Sequence, residues 1–355
     1  MNTEDRIKTK GIRYLGSKDK IMPLILEVTD KVELPNNTVI DVFTGTTRVA
    51  QAYKETGRRV ITSDLSWAAE AYSYNFICNE GDHNSLQQYC DHLNSIKPVE
   101  GWLTQNYCDV EADGGNVVRV WKRHNGMRAD AIRDEIERMD LQKWEKMSLI
   151  TSLIFALDRV DNTVGLQQAY LKTWKSDRVD NEIVMKPIHG PVGAVGQHIV
   201  GSCLEIDYPE ADLAYLDPPY TPADYSTYYH IWDSITRWDK PEVSLKTNRR
   251  VDRVKSSKDT YDTGMKSPWY SKKSALDATQ KLVDRLPVRH VIFSYSDEGL
   301  IGYDDMKELC SRYKTHQFFE KVHNRHVMSR IGAGGKDAEN ADKKKNTEYV
   351  ILIEK

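Results

Sequence analysis

The chain lacks long apolar runs and paired cysteines, and each absence excludes a class of protein. No apolar stretch among the 355 residues approaches the ~20 residues that a membrane-spanning helix needs. The stretch 1–18 contains no apolar core of the kind that a signal peptide carries. The five cysteines are odd in number and never form a CxxC pair, which argues against a disulfide framework and a zinc site. We therefore expect a cytoplasmic protein with no metal and no membrane partner.

A strong excess of charge is also missing, because the formal net charge is only −3. Positive charge is instead concentrated in three segments, Arg119–Arg128, Lys246–Lys258 and Arg312–Arg330. A single basic segment is as typical of a solvated surface as of a binding surface. Three of them in a mildly acidic chain favour a local nucleic-acid face, and we expect Arg249 and Arg250 to contact phosphates.

One βαβ unit is visible near the N-terminus. Val39–Phe43 predicts a buried strand, a glycine-containing turn follows, and Gly57 stands where a helix would end. Arg59–Asp64 predicts a second strand that ends in an acid. The motif GxGxxG is absent, which argues against a dehydrogenase. Because Asp64 follows Gly45 at about the 20 residues expected for an acid that binds a ribose, the unit favours an adenosine cofactor without a pyrophosphate, such as S-adenosylmethionine.

Helical and strand patterns alternate over most of the chain. A helix is predicted to begin near Ser17, with Ile21, Leu24, Ile25 and Val28 on one apolar face. The later predicted elements are strand Leu213–Leu216, a helix around 276–286, strand Val288–Ser294, helix Tyr303–Tyr313 and strand Glu348–Glu354. This alternation predicts an α/β fold with a Rossmann-like, doubly wound sheet.

Between residues 79 and 201 the alternation stops. This stretch carries amphipathic helical patterns and no convincing strands, so we predict a mostly helical insertion. The predicted organisation is a discontinuous catalytic domain of residues 1–80 and 201–355, with the insertion at 81–200. Residues 331–347 are predicted to form a mobile loop before the last strand.

Four motifs, in order, resemble those of the DNA N6-adenine methyltransferases. They are YLGSK (Tyr14–Lys18), DVFTGTTRVA (Asp41–Ala50), VITSDL (Val60–Leu65) and YLDPPY (Tyr215–Tyr220). Their order is similar to the α-type, Dam-like arrangement, in which the target-recognition segment lies between the FxGxG and DPPY motifs. DNTVGLQQAYLKTW (Asp161–Trp174) resembles the modification enzymes of restriction systems in particular. One departure is Thr47, where the family often has the second glycine of FxGxG.

The resemblance implies a class I methyltransferase that uses S-adenosylmethionine to methylate N6 of a flipped adenine in double-stranded DNA. It does not say which DNA sequence the enzyme recognises. It implies a restriction endonuclease as a possible genetic partner. It also implies a nucleoid-associated enzyme of a bacterial or phage-infected cell. Monomer and dimer both remain open. The catalytic residues it implies are Asp217, Pro218, Pro219 and Tyr220. The cofactor contacts it implies are Tyr14, Gly16, Ser17, Lys18, Asp41, Phe43, Gly45, Asp64, Leu65 and Asp217.

The DPPY corner also suits this chemistry on its own terms. Two successive prolines cannot continue a sheet, because each lacks an N–H and has a fixed φ, so the corner is rigid. An exocyclic adenine amine is a poor nucleophile and needs acceptors for its hydrogens. Asp217 and the Pro218 carbonyl are predicted to be those acceptors, held in place before the reaction begins. Tyr220, directed by Pro219, offers a flat face to a base that has left the duplex.

Several alternatives remain open. A cytosine-N4 methyltransferase shares the chemistry, although its motif more often begins with Ser, and an RNA adenine-N6 methyltransferase differs in substrate. A catalytically silent DNA-binding module would keep the fold alone. A cytosine-C5 enzyme is excluded, because it needs a Cys after Pro and the chain has no Pro-Cys pair. Asp41 equally fits a helix cap, and Phe43 equally fits a core position. Ser294–Asp297 ends a strand and fits either a segment that faces the cofactor or the flipped base, or an ordinary strand-end turn.

A prediction for Tyr220 separates its ring from its hydroxyl. Stacking on a base is worth roughly 1–3 kcal/mol, so Tyr220→Ala should slow methylation about tenfold or more. Tyr220→Phe and Tyr220→Trp keep a flat π-surface and should remain near the wild-type rate. Single-turnover kinetics on duplex DNA measure all three, and a Phe variant as slow as the Ala variant would rule out the stacking role.

Overall fold

The computed structural model describes residues 7–112, 115–167, 171–174, 176–219, 225–244, 248–253, 267–324 and 345–355. Within these ranges the helices are α1 (Met22–Thr29), α2 (Arg48–Glu55), α3 (Trp67–Phe76), α4 (Gln87–Ser95), α5 (Trp102–Tyr107), α6 (Arg123–Arg138), α7 (Lys143–Val160), α8 (Tyr225–Tyr228), α9 (His230–Arg237), α10 (Lys272–Arg285) and α11 (Tyr303–Cys310). The strands are β1 (Thr38–Asp41), β2 (Arg59–Asp64), β3 (Val110–Ala112), β4 (Gly115–Val117), β5 (Gln197–Val200), β6 (Leu213–Leu216), β7 (His290–Ser296), β8 (Thr315–Asn324) and β9 (Lys345–Glu354).

The chain divides into two compact units. The DPPY unit consists of Lys18–Phe43, Cys203–Ala223 and Ser267–Lys355. The helical unit consists of Met1–Ser17, Thr44–Ser202 and Asp224–Lys266. Each unit therefore collects segments that are far apart in sequence.

The DPPY unit is built on a mixed sheet with the strand order β1-β6-β7-β9-β8. β1, β6 and β7 run parallel, whereas β9 is antiparallel to both β7 and β8. The register places Asp41 beside Tyr215 and Tyr215 beside Ile292. Every residue of β1, β6 and β7 is buried, as is typical of parallel strands covered on both faces.

The helical unit combines a parallel strand pair with a helix bundle. β2 and β5 are parallel neighbours, and β3 and β4 form an antiparallel hairpin. Helix α3 contacts both α7 and α9. Its small residues Ala68, Ala69 and Ala71 are buried, so the partner helices approach its backbone closely.

The predicted α/β alternation is confirmed, with some element limits shifted. The first helix begins at Met22 instead of near Ser17, because Pro23 lies in its first turn, where a missing N–H is tolerated. Three of the four residues of its predicted apolar face are buried as expected (Ile21, Ile25 and Val28), and the fourth, Leu24, is half-buried. β7 continues to Ser296, so Ser294 lies inside a buried strand and not in a turn.

The basic segment Arg312–Arg330 contains strand β8, which was not predicted, and nucleic-acid binding by this segment stays a prediction. Its residues Thr315–Asn324 pair with β9 along their whole length. The adjacent Phe318 and Phe319 break the two-residue alternation that marks a strand in sequence, which is why the pattern was missed. The final strand begins at Lys345, inside the predicted loop 331–347, and residues 331–344 lie outside the described ranges.

The compact units divide the chain at other residues than the predicted domains, which stay a prediction. Residues 81–200 contain α4 to α7, but also the hairpin β3–β4 and strand β5. Since β5 pairs with β2 and α7 packs against α3, residues 44–80 belong to the same unit as 81–202. The periodicity of the insertion alone contains no information on these long-range contacts. Its part in target recognition stays a prediction.

Arg250 is buried and is not placed to contact the phosphates of a nucleic acid. It is 2% exposed, and its guanidinium bonds to Asp239 at 2.8 Å and 3.1 Å and to Asp252 at 3.0 Å. The expectation that Arg250 binds a phosphate is therefore wrong. Residues 245–247 and 254–266, which include most of Lys246–Lys258, lie outside the described ranges.

We expect Arg250→Met to lower the free energy of unfolding by about 2 kcal/mol. This is below the roughly 3–5 kcal/mol of a fully buried pair, because the two carboxylates can regain water. The matched control is Arg237→Met. Arg237 contacts the same Asp239 and, like Arg250, lies over the Trp67 ring, but it is 47% exposed, so its change should stay under about 1 kcal/mol. Urea unfolding measures both variants. Equal stability losses would show that burial does not distinguish the two arginines.

Candidate active-site residues

The DPPY corner follows the buried parallel strand β6. Leu213–Leu216 lie between β1 and β7 in the sheet, and Asp217, Pro218 and Pro219 come directly after them. Ligands of α/β sheets bind at the carboxyl ends of the strands, which is where this corner stands. Pro218 is buried and Pro219 half-buried. Tyr220 lies outside the described ranges, so its place is not part of this geometry.

Asp217 forms an ion pair with Lys18. The Nζ of Lys18 lies 3.0 Å from Oδ1 of Asp217, and the two side chains are 4% and 19% exposed. Burial raises the pKa of Asp217 to about 6, while the Lys18 ammonium acts in the opposite direction. The carboxylate is therefore mostly ionised at neutral pH. Lys18 was predicted to contact the cofactor, and its pairing with the predicted catalytic acid was not foreseen, because the two residues are far apart in sequence.

Asp41 and Phe43 stand at the end of the neighbouring strand. Asp41 is the last residue of β1 and is 1% exposed. The half-buried ring of Phe43 packs edge-on against Trp269, with ring centroids 5.1 Å apart and planes at 79°. The Trp269 contact agrees with the core alternative for Phe43. Cofactor contacts of Asp41 and Phe43 remain predictions.

In the helical unit, Asp64 holds the turn that contains Gly45. Oδ2 of Asp64 accepts the Gly45 N–H at 2.9 Å, and Oδ1 accepts the Ser66 N–H at 2.8 Å. Gly45 has φ +49°, a left-handed conformation that glycine adopts without a Cβ penalty. Burial raises the pKa of Asp64 to about 6, against the opposing effect of the backbone hydrogen bonds. Leu65, next in sequence, is half-buried.

These residues fit an adenosine group. Each carboxylate oxygen has two lone pairs, so the two backbone N–H groups leave Asp64 able to accept ribose hydroxyls as well. Asp64 ends a strand after a glycine turn, which is the position of the ribose-binding acid in nucleotide-binding βαβ units.

The backbone conformation of Thr47 explains why the family often has a glycine at this position. Thr47 has φ +63° at the N-cap of α2, and a left-handed backbone is unfavourable for a β-branched residue. Its Oγ1 donates to the Thr46 carbonyl at 2.7 Å and accepts from Gln51 Nε2 at 3.0 Å. These bonds compensate for the unfavourable φ, so a threonine is accommodated here.

The YLGSK motif is anchored by tyrosines after the DPPY motif. The Tyr14 ring stacks on Tyr229 at 4.3 Å between centroids and 17° between planes, and the Leu15 N–H donates to Tyr229 Oη at 2.8 Å. Tyr225 lies 5.9 Å from Tyr14. Gly16 has φ +84°, and Ser17 is exposed. Tyr225 and Tyr229 were not predicted as site residues, although the tyrosine-rich segment YSTYYHIW was a visible signal.

Asp233 is another unpredicted residue near Asp64. It is 3% exposed and accepts the Ser66 hydroxyl at 2.7 Å and the Ala68 N–H at 3.0 Å, so it caps the start of α3. Its charge contributes to the raised pKa of Asp64. Nothing in the local sequence signals this contact, because it joins residues 167 positions apart.

The described ranges contain no group of three or more His, Cys, Asp or Glu side chains placed to hold a metal ion. No helix within those ranges is both long enough and apolar enough to cross a membrane.

Known proteins similar to this chain are DNA methyltransferases. The family described as D12 class N6 adenine-specific DNA methyltransferase matches residues 14–285. The chain is 24% identical to the Type II methyltransferase M.NlaIII of Neisseria lactamica, over 97% of this chain and 99% of that protein. It is 26% identical to the Type II methyltransferase M.CviAII of Paramecium bursaria Chlorella virus 1, over 92% of this chain and 96% of that protein. It is 27% identical to the modification methylase LlaI of Lactococcus lactis subsp. lactis over 85% of this chain, which spans 49% of LlaI.

The family match covers most of the chain and contains all four motifs from YLGSK to YLDPPY. With the parallel strands β1, β6 and β7, it confirms the predicted class I methyltransferase fold and the predicted activity, site-specific adenine-N6 methylation of DNA. The chain belongs to the D12 class of N6 adenine-specific DNA methyltransferases.

Proposed function

We propose that the ionised carboxylate of Asp217 accepts a hydrogen of the N6 amine of an adenine that has left a DNA duplex. The observation that carries this proposal is the buried Lys18–Asp217 pair, in which the carboxylate keeps its charge beside a rigid corner. Oδ1 of Asp217 contacts Lys18, so Oδ2 is the oxygen assigned to the amine. The Pro218 carbonyl is the second acceptor, and the hydrogen bonds together draw the nitrogen toward tetrahedral geometry.

S-adenosylmethionine is the proposed methyl donor and would supply a sulfonium methyl group when bound. Asp64 is assigned to its ribose hydroxyls. The Gly45 turn, whose N–H already bonds to Asp64, gives the cofactor close access to the backbone. The remaining proposed cofactor contacts are Tyr14, Gly16, Ser17, Lys18, Asp41, Phe43, Leu65 and Asp217.

The finer biological setting is also proposed. Residues 81–200 are assigned to target recognition, and double-stranded DNA is the proposed substrate form. A restriction endonuclease is the proposed genetic partner, because the relatives are named Type II methyltransferases and modification methylases. Sequencing host DNA for N6-methyladenine, with the gene present and absent, identifies the recognition sequence. A clear preference for single-stranded RNA over duplex DNA in vitro would overturn the proposed substrate.

Asp64→Ala should weaken the binding of S-adenosylmethionine at least several-fold, since a ribose hydroxyl pair without its acceptor loses about 1–3 kcal/mol. Titration calorimetry measures the affinity, and thermal unfolding measures the loss of the Gly45 and Ser66 hydrogen bonds separately. The control is Asp64→Asn, which keeps one oxygen acceptor. Its affinity for S-adenosylmethionine should lie between those of the wild type and Asp64→Ala. Unchanged affinity in the Ala variant would remove Asp64 from the cofactor site.

The chemical step should depend on the ionisation of Asp217. Its folded pKa is about 6, so the single-turnover rate should fall as the pH drops through that value and the carboxylate becomes protonated. The Lys18 ammonium lowers the pKa of Asp217, so Lys18→Met should raise that pKa and move the fall in rate to higher pH. Asp217→Asn should be slow at every pH and lose this dependence. If the rate of Lys18→Met falls at the same pH as that of wild type, the assignment of the ionised Asp217 carboxylate as the acceptor is contradicted.

A further inference from the structure

Gln167 links the segment Asp161–Trp174 to the helix that follows the DPPY motif. Its side chain is buried, with 5% of the residue exposed. Its main-chain N–H donates to the Tyr228 carbonyl at 2.8 Å. Its side-chain Oε1 accepts the N–H groups of Ile231 at 2.8 Å and Trp232 at 3.3 Å. Gln167 therefore caps the first turn of α9 from outside the helix.

The orientation of this amide is determined by its bonds. Because Oε1 faces two N–H donors, exchanging the oxygen and the nitrogen would set an NH2 group against both of them. Nε2 therefore points away from the start of α9. It is buried, and it has no hydrogen-bond partner among the residues that the structure describes. A buried donor without an acceptor is unfavourable, and such groups in native proteins call for an explanation.

The turn that Gln167 holds carries three tyrosines, Tyr225, Tyr228 and Tyr229. Tyr228, whose carbonyl it binds, lies 6.1 Å from Tyr225, measured between ring centroids. Tyr225 is 6.3 Å from Tyr229, and Tyr229 stacks on Tyr14 at 4.3 Å. Proteins bind nucleobases outside a duplex with aromatic faces and with hydrogen bonds to the base edge. The tyrosines supply the first feature, and the unused amide donor supplies the second.

We infer that Nε2 of Gln167 donates a hydrogen bond to a ring nitrogen of an adenine bound beside these tyrosines. Adenine is the appropriate class of ligand, since N1, N3 and N7 are all acceptors. The adenine belongs either to the DNA target or to the cofactor, and this inference rests on the proposed function, which supplies both. Gln167 then has two roles, because its oxygen holds α9 and its nitrogen binds the ligand.

Gln167→Glu separates the two roles. Glutamate keeps an oxygen that accepts from Ile231 and Trp232, but it has no NH2 group. The matched control is Gln51→Glu, because Gln51 is also buried and uses both ends internally: Oε1 accepts from Lys10 N at 2.9 Å, and Nε2 donates to Lys10 O at 2.7 Å. We expect both substitutions to lower the unfolding temperature, because each buries a carboxyl group. Gln51→Glu should lower it more, because it also loses the hydrogen bond from Nε2 to the Lys10 carbonyl.

Two measurements on Gln167→Glu distinguish the source of the adenine. If the cofactor's adenine is bound, titration calorimetry without DNA should show the affinity for S-adenosylmethionine weakened about tenfold or more. If the target adenine is bound, cofactor affinity should stay at the wild-type value, while the single-turnover rate on duplex DNA falls by a similar factor. Wild-type behaviour in both measurements would show that Gln167 is only a helix cap and would overturn the inference.

A second experiment changes the DNA and compares its effect on wild type and on Gln167→Glu. The wild-type enzyme is assayed on duplexes in which N1, N3 or N7 of the target adenine is replaced by C–H, at the site mapped in host DNA. If Gln167 contacts the target adenine, one replacement should slow methylation by wild type about tenfold. The same replacement should slow Gln167→Glu much less, because that variant already lacks the hydrogen bond that the replacement removes. If no replacement slows wild type and its cofactor affinity equals that of Gln167→Glu, the inference fails. Absence of any methylation by wild type would instead contradict the proposed function.

Discussion

A carboxylate that is buried and yet must carry a charge is the constraint on which the DPPY unit depends. Burial of Asp217 favours its neutral form, and the Lys18 ammonium 3.0 Å away opposes that effect. The two prolines after Asp217 prevent the backbone from relaxing around it. The parallel strands on either side of β6 fix where the corner begins. An acceptor that is charged and immobile is what a weakly nucleophilic amine requires.

The helical unit uses carboxylates differently, as organisers of backbone N–H groups. Asp64 joins Gly45 to Ser66, and Asp233 caps α3. Asp130 accepts the N–H groups of Gly101, Leu103 and Thr104 at the start of α5. Backbone N–H groups at helix starts have no partner inside the helix, so a buried acid supplies one. Asp64 thus holds the turn of Gly45, another proposed cofactor contact, while it is itself assigned to the ribose.

Much of the fold was predictable, because its signals are local. The strand Leu213–Leu216 and the helix over Met22–Thr29 follow from apolar runs and from a 3.6-residue period. The DPPY motif and the acid at Asp64 were visible for the same reason. β8 was missed because Phe318 and Phe319 interrupt the alternation. Arg250 was wrongly predicted to contact phosphates, because its bonds to the Asp239 and Asp252 carboxylates are visible only in the folded structure.

The sequence by itself determined the order of the motifs, the α/β class and the chemical identity of the groups at the DPPY corner, since all of these depend on residue type and short spacing. Only the tertiary structure decided which side chains act together. Lys18 pairs with Asp217, Tyr14 stacks on Tyr229, and Gln167 caps α9 across 64 residues of chain. Contacts of this kind leave no periodicity in the sequence, because they arise when segments distant in the chain are packed against each other.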